Sequence, residues 1–263
     1  MTGSLQIIPI HGIPLIEEGQ DLGAILAVAI AGLQPRLSAN DVLVVAHKII
    51  SKGEGAVVNL QSVAPSKDAV QLAAIVDKDP RFVQVVLDHS SEVIRAVKGV
   101  LITRHKRGFV CANAGIDQSN VNQSTGEYCL LLPENPDESA RLLKSNLATH
   151  LGVDPAVIIS DSFGRAWRQG TVGTCIGSSG LEVLYNQNGE QDLFGRELKV
   201  TMAATADQIA AAATLVMGES NEGIPAALVR GLDKRGSDTA QQLIRPPSED
   251  LFGPPVKGIK SYL

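Results

Sequence analysis

The chain has 263 residues, enough to bury a full core, and its 44% hydrophobic and 19% charged residues exclude an intrinsically disordered chain. A net charge of -5 gives no reason to expect binding to a phosphate backbone, so nucleic acid is not an expected partner. The longest apolar stretch, residues 22–33, is too short to span a bilayer, and residues 1–5 lack a secretory pattern, so no membrane is expected and a cytoplasmic location is.

Residues 5–10 are predicted as a strand that runs into a loop over 11–14, and Asp21 starts a helix ending near Leu33. After a turn at Asn40 and Asp41, residues 42–46 are continuously apolar and β-branched, as a strand covered on both faces is, and lysines follow at Lys48 and Lys52. Pro65 and Ser66 cap a helix through about Asp77, and Pro80 starts another reaching Leu87. Residues 100–103 and 109–112 read as a strand pair around the basic turn His105-Lys106-Arg107-Gly108, with 128–132 as a third strand.

Pro136 and Asp137 open an amphipathic helix to about Leu151, and residues 157–159 then form a short buried strand that stops at Ser160-Asp161. A carboxylate at the carboxyl end of a buried strand is a common functional placement. Residues 181–185 and 197–203 are predicted as a hairpin, followed by an alanine-rich helix over 206–217, a glycine-bearing loop and a last strand over 226–229. The tail from Gly231, with Pro246, Pro247, Pro254 and Pro255, is expected to lie extended over the surface or a neighbouring subunit. No repeat or linker cuts the chain, so any two subdomains are interleaved within a single module over residues 1–263.

Several familiar chemistries are absent. There is no G-x-x-x-x-G-K-[ST], no G-x-G-x-x-G joining strand to helix, no H-E-x-x-H and no Gly-x-Ser-x-Gly. Cys111, Cys129 and Cys175 are odd in number and widely spaced, which suits plain buried thiols.

Three polar loops remain. In Asn113-Ala114-Gly115-Ile116-Asp117-Gln118-Ser119-Asn120, Asp117 offers a hard oxygen for a divalent ion and Asn120 an amide donor, although a simple Asx turn accounts for the same residues. In residues 160–170, Asp161 and Ser162 offer carboxylate and hydroxyl, and Arg165 and Arg168 can clamp phosphate or carboxylate. Trp167 between them is either a packing residue or a stacking platform for a flat ring. The third loop, Met217-Gly218-Glu219-Ser220-Asn221-Glu222-Gly223, is explained in part by a glycine helix stop, yet Glu219 can complete an acidic set with Asp117 and Asp161.

Taken together the loops resemble the family of glutamate ligases that make coenzyme F420, a deazaflavin hydride carrier. The resemblance runs through Gly12-Ile13-Pro14-Leu15, Ile50-Ser51-Lys52-Gly53-Glu54-Gly55, Asn113 to Asp117, Ser119-Asn120 and Asp161-Ser162-Phe163-Gly164-Arg165. It continues in order through Phe194-Gly195-Arg196-Glu197-Leu198, Ala206-Asp207-Gln208-Ile209-Ala210, Met217-Gly218-Glu219 and Gly223-Ile224-Pro225.

The resemblance implies an α/β (mixed α+β) fold of two interlocked domains with mixed sheets, an intertwined homodimer, and a GTP-dependent ligase acting on deazaflavin F420-0 and L-glutamate. It implies metal ligands at Asp117, Asp161, Ser162 and Glu219 for two Mg2+ or Mn2+ ions, and it leaves room for a monovalent cation such as K+. Implied nucleotide contacts are Gly12, Ile13, Pro14, Leu15, His47, Lys48, Lys52, Asn120, Val216, Met217, Gly218, Glu219, Ser220, Asn221, Glu222 and Gly223. Ser162 stands where the family pattern expects threonine, which keeps the hydroxyl. A fused nitroreductase-like domain, carried by some relatives, is expected to be absent.

The implied chemistry activates a carboxylate as an acyl phosphate that the glutamate amine attacks, with Lys52, Arg165 and Arg168 stabilising charge and no covalent protein nucleophile. Two alternatives stay open from the sequence: an amide ligase acting on another carboxylate, and a nucleotide-binding protein without catalysis.

Overall fold

Val42–Ala46 forms the strand that its unbroken apolar run predicts, with Leu43 and Val45 in one core cluster and Val42 and Val44 in another. A computed structural model describes residues 4–124 and 126–251. In chain order it contains β1 (Gln6–Pro9), α1 (Leu22–Ala31), β2 (Val42–Ala46), α2 (His47–Gly53), β3 (Val57–Asn59), α3 (Lys67–Val76), α4 (Pro80–Asp88), β4 (Ser90–Val97) and β5 (Val100–His105). There follow β6 (Val110–Ala112), β7 (Tyr128–Leu130), α5 (Pro136–Leu151), β8 (Ala156–Arg165), β9 (Arg168–Ser179), β10 (Tyr185–Asn186), β11 (Met202–Ala203), α6 (Thr205–Met217) and β12 (Ala226–Arg230).

The fold is mixed α/β around a five-stranded sheet of order β1-β12-β2-β8-β9. Its only parallel pair among the described strands is β2 with β8, from Val42↔Ala156 to Ala46↔Ser160, and the other neighbours run antiparallel. Helices α1 and α5 cover one face through Leu26, Ile30, Leu143 and Leu147, and α6 covers the other through Ala206, Ile209, Ala210 and Ala213. Full burial of such aliphatic side chains contributes about 1.5–3 kcal/mol each for the larger ones. A third cluster joins α3 and α4 to the sheet β4-β5-β6 through Val76, Phe82, Val86 and Leu101.

The helix starts follow the capping residues. Asp21, Ser66, Asp79 and Asn135 each accept a backbone N–H of the first turn, and Pro80 and Pro136 begin their helices, where a missing N–H costs nothing. All three cysteines are buried and free.

Three expectations change, and β4 and β9 are strands that the sequence pattern does not predict. Strand β8 does not stop at Asp161 but runs to Arg165 and turns at Ala166 and Trp167 into β9, so the second polar loop is a β-hairpin. The glycines of β9 hide it from pattern reading because they serve packing: a Cβ on Gly173 would meet the Ala210 carbonyl oxygen at 2.5 Å, and one on Gly177 would collide with the Pro136 backbone. Tyr128–Leu130 pairs not with the strands at 100–112 but with β3, itself too short to signal. Strand β4 adds to β5 as an exposed edge broken by register shifts, so its sequence lacks a clean alternation. The hairpin predicted over 181–203 shrinks to the two-residue pairing of β10 and β11, with Leu181 instead bridged to Arg235 and Asp238 of the tail. That tail packs through buried Ala240, whose N–H donates to Asp137 Oδ1; Pro254 and Pro255 lie outside the described residues.

The basic turn after β5 carries a pH signature. Burial, with the charges of His89, Arg107 and Lys106 beside it, lowers His105 to about 4, and its Nδ1 accepts the Arg107 N–H at 3.0 Å, a bond that needs the neutral ring. The folded ring binds its proton less tightly than the unfolded one, so its contribution is fully present above the ordinary value of 6.5 and is lost as pH falls from there to about 4. In urea titrations across that window, His105→Asn, which keeps an acceptor without a titrating ring, is expected to flatten the stability slope. An unchanged slope would rule His105 out as its source.

Candidate functional site

The parallel pairing of β2 with β8 ends at Ala46 and Ser160, where the chain turns from β2 into α2 while β8 carries Asp161 and Ser162 onward. The antiparallel β12 begins at the same edge, where Ala46 N donates to Pro225 O and Ile10 N to Ala226 O. Loops after β1, before β12 and after α6 therefore converge where the parallel pairing ends, beyond the carboxyl end of β2, the usual ligand position in such sheets. They enclose a cleft of about 490 Å³.

Within α2, residues four apart share a face. His47 and Ser51 are buried and meet at 3.3 Å between Nδ1 and Oγ, while Lys48 and Lys52 line the cleft. Lys52 Nζ donates to the Asn120 carbonyl oxygen at 2.6 Å, and burial together with the Lys48 charge lowers its pKa. Lys48 Nζ lies 2.6 Å from both Asp117 Oδ2 and Ser119 Oγ. Burial pushes the Asp117 carboxyl up, but hydrogen bonds from Lys48 and Ser119 outweigh it and leave the pKa lowered. Asp161 Oδ1 accepts the Ser162 N–H at 2.7 Å and stands 3.4 Å from His47 Nε2, a buried nitrogen with no hydrogen-bond partner of its own. Ser162 Oγ donates to Glu219 Oε2 at 2.6 Å, and Asn120 Nδ2 donates to Ser220 O at 3.1 Å, tying the 117–120 loop to the loop after α6.

The 113–120 loop is held by left-handed backbone at Asn113 (φ 52), Ala114 (φ 54) and Gly115 (φ 72). A Cβ on Gly115 would stand 2.7 Å from Leu132 Cδ1, so the third position combines a glycine conformation with close packing. Gly115→Ala is expected to lower stability by roughly 1–3 kcal/mol, read from urea unfolding, because strain and overpacking add. No loss would show that the loop relaxes freely.

Of the residues singled out in the sequence, Ile13, Pro14, Leu15, His47, Lys48, Lys52, Asp117, Asn120, Asp161, Ser162 and Met217 through Gly223 all line this cleft. Gly12 and Val216 adjoin it in sequence without lining it, and Arg165 and Arg168 stand at the exposed tip of the β8–β9 hairpin, where Arg165 folds onto the carbonyl oxygens of Gln169 and Gly170. Trp167 at that tip is 88% exposed. Sequence reasoning passed over Ser160 and Thr214 in the wall. Ser160 could have been found as the neighbour of Asp161 at the strand end; Thr214 has no signal beyond its place one turn before Gly218. Among the described residues no group of three or more His, Cys, Asp or Glu side chains stands close enough to hold a metal ion. These oxygens share one cleft, but each is already hydrogen-bonded within the chain: Asp117 accepts from Lys48 and Ser119, Asp161 accepts from the Ser162 N–H, and Ser162 Oγ donates to Glu219.

Fold and cleft define a mixed α/β protein with acids and lysines facing one another at the carboxyl ends of its parallel strands. Residues 12–231 match the model of the family described as F420-0:Gamma-glutamyl ligase. The chain is similar to the coenzyme F420:L-glutamate ligase of Methanocaldococcus jannaschii, 42% identical over 91% of this chain and 94% of that protein. It is equally similar to that of Methanopyrus kandleri, 42% identical over 95% and 99%, and close to that of Archaeoglobus fulgidus, 41% identical over 94% and 96%. The chain belongs to the F420-0:gamma-glutamyl ligase family. No helix among the described residues is long and apolar enough to cross a membrane.

Proposed function

We propose that the chain joins L-glutamate to the carboxylate of coenzyme F420-0 in a reaction that consumes GTP. The observation that supports this most is the gathering in one cleft of Asp117, Asp161, Ser162 and Glu219 with Lys48 and Lys52, in a chain of this family. A carboxylate oxygen of the deazaflavin attacks the γ-phosphorus, the bond to the bridging oxygen breaks, and GDP leaves. The glutamate amine then attacks the acyl carbon, a C–N bond forms, the C–O bond breaks, and phosphate and a proton depart.

Lys52 supplies fixed positive charge toward the triphosphate, and Lys48 lines the same cleft beside it. Arg165 and Arg168 stand outside the cleft wall, so a role for them requires the hairpin tip to meet the ligand from its open side. No side-chain nucleophile is needed, and burial pushes the Cys111 thiol to about 12 and Cys129 to about 11, far from the thiolate form.

The donor set is hard oxygen throughout, which fits Mg2+ or Mn2+ and not a softer metal. Asp117, Asp161, Ser162 and Glu219 would hold two such ions by drawing closer than they stand here, and the ions would neutralise charge on the transferring phosphoryl group. The proposed assembly is an interlocked homodimer. The segment after β10 leaves Leu193 99% and Phe194 96% exposed, apolar surface suited to burial against a second copy, and light scattering would test it.

The catalytic test mixes the protein with GTP, Mg2+ or Mn2+, L-glutamate and the unglutamylated deazaflavin. Mass spectrometry is expected to show the mass of one or more added glutamates. No product with either GTP or ATP would overturn the proposal, and product from a different carboxylic acid alone would reassign the acceptor.

A further inference from the structure

Lys48 and Lys52 share a helix face but are engaged differently. Lys52 rests on a backbone carbonyl, that of Asn120, whereas Lys48 is paired with the carboxylate of Asp117. Around Asp117 the chain supplies further donors. Ser119 Oγ donates to Oδ2 at 2.6 Å while accepting from Lys48, and Ser119 N donates to Oδ1 at 2.9 Å. The ammonium sits 2.6 Å from Oδ2 and both side chains line the cleft, so a divalent cation on the same oxygen would lie within a few ångströms of it, and like charges at that separation repel strongly in a partly buried site.

We propose that Lys48 is an exchangeable counter-ion: it neutralises Asp117 and steadies the 117–120 loop, and a divalent cation that takes the carboxylate displaces the ammonium into the cleft. This rests on the reading of Asp117 as a metal ligand. Lys48 is suited to the exchange because its ammonium is a compact charge on a flexible stem, and the cleft it lines offers a swing path without breaking α2. Displacement would deliver a positive charge toward the triphosphate at the step when metal loads, so that the two cations enter the site in order. Lys52, whose partner is a neutral carbonyl, has no such competitor, and Lys98, on the exposed turn between β4 and β5, serves as an internal control.

The test is amine acylation with an N-hydroxysuccinimide ester, read residue by residue by mass spectrometry, on the full chain without nucleotide as Mn2+ is titrated. Electron paramagnetic resonance of free Mn2+ in the same samples gives binding. Saturation with Mn2+ is expected to raise labelling of Lys48 severalfold and leave Lys98 unchanged. In Asp117→Asn, labelling of Lys48 should be high from the start and insensitive to Mn2+. Lys48→Met should bind Mn2+ about two- to fivefold more tightly, the range set by a partly exposed ion pair. Circular dichroism checks that both variants are folded. If Mn2+ binds while Lys48 labelling stays flat, the exchange is wrong and the metal site stands. If Mn2+ does not bind the parent chain with or without GTP, the metal reading falls and the exchange with it.

Discussion

Asp161→Asn is expected to lower kcat/KM for glutamate ligation by about 10²–10³-fold, the loss typical when one preorganised electrostatic group is removed from a reacting centre. The substitution preserves volume and the oxygen that accepts the Ser162 N–H at 2.7 Å, so the hairpin geometry should persist and the melting temperature should hardly move. What it removes is charge, at a point where Asp161 stands 3.4 Å from the unpartnered Nε2 of His47 and beside Ser162, itself bonded to Glu219. Mn2+ affinity should fall with activity. Undiminished turnover in a folded Asp161→Asn chain would remove Asp161 from the chemistry, and lost turnover with unchanged metal binding would keep its role but reassign it from metal ligand to substrate positioning.

The second large effect is on stability. Arg230 at the end of β12 grips Asp41, just before β2, through Nε to Oδ1 at 2.8 Å and a second nitrogen to Oδ2 at 2.7 Å, and it also donates to the carbonyl oxygens of Pro35 and Arg36. Asp41 is 1% exposed and also accepts the Ser38 N–H. Removing the carboxylate leaves the half-buried Arg230 guanidinium without its charged partner, so Asp41→Ala is expected to cost about 3 kcal/mol in urea unfolding. For a chain of this size that corresponds to a drop in Tm of roughly 10 °C. Adding Arg230→Met should recover part of the loss, because the doubly apolar variant buries no lone charge. A loss below about 1 kcal/mol for Asp41→Ala alone would mean that water or the carbonyls replace the carboxylate.

How far the sequence could be read depended on which force shaped each segment. Strand β2 and helices α1, α3, α4, α5 and α6 were visible because burial and capping are written locally, in Val42 through Ala46, in Asp21 and Ser66, in Pro80 and Pro136. Strand β9 was not, since Gly173 and Gly177 answer to the backbones of α6 and α5 rather than to their own neighbours in sequence. The cleft residues were mostly legible through the family pattern, and chemistry alone left each loop balanced between turn and ligand. What no pattern carries is pairing at a distance. That Lys48 meets Asp117, or Ser162 meets Glu219, depends on strand ends brought together by the whole sheet. Arg165 and Arg168 show the opposite limit: their spacing from Asp161 suggested convergence, but an extended β8 carries them away from it.

The parallel pairing of β2 with β8 has a consequence for how the molecule comes into being. Two strands that lie side by side are separated in the chain by everything from α2 to α5, so their union closes a long loop, and closure of such loops is entropically unfavourable and slow. During synthesis β2 emerges early and must wait, both faces apolar, until β8 arrives. Glu219 comes later still, so a nascent or truncated chain has the lysines, Asp117 and Asp161 but no complete pocket. Ligand binding should therefore act only on the finished chain, as a late seal on its fold.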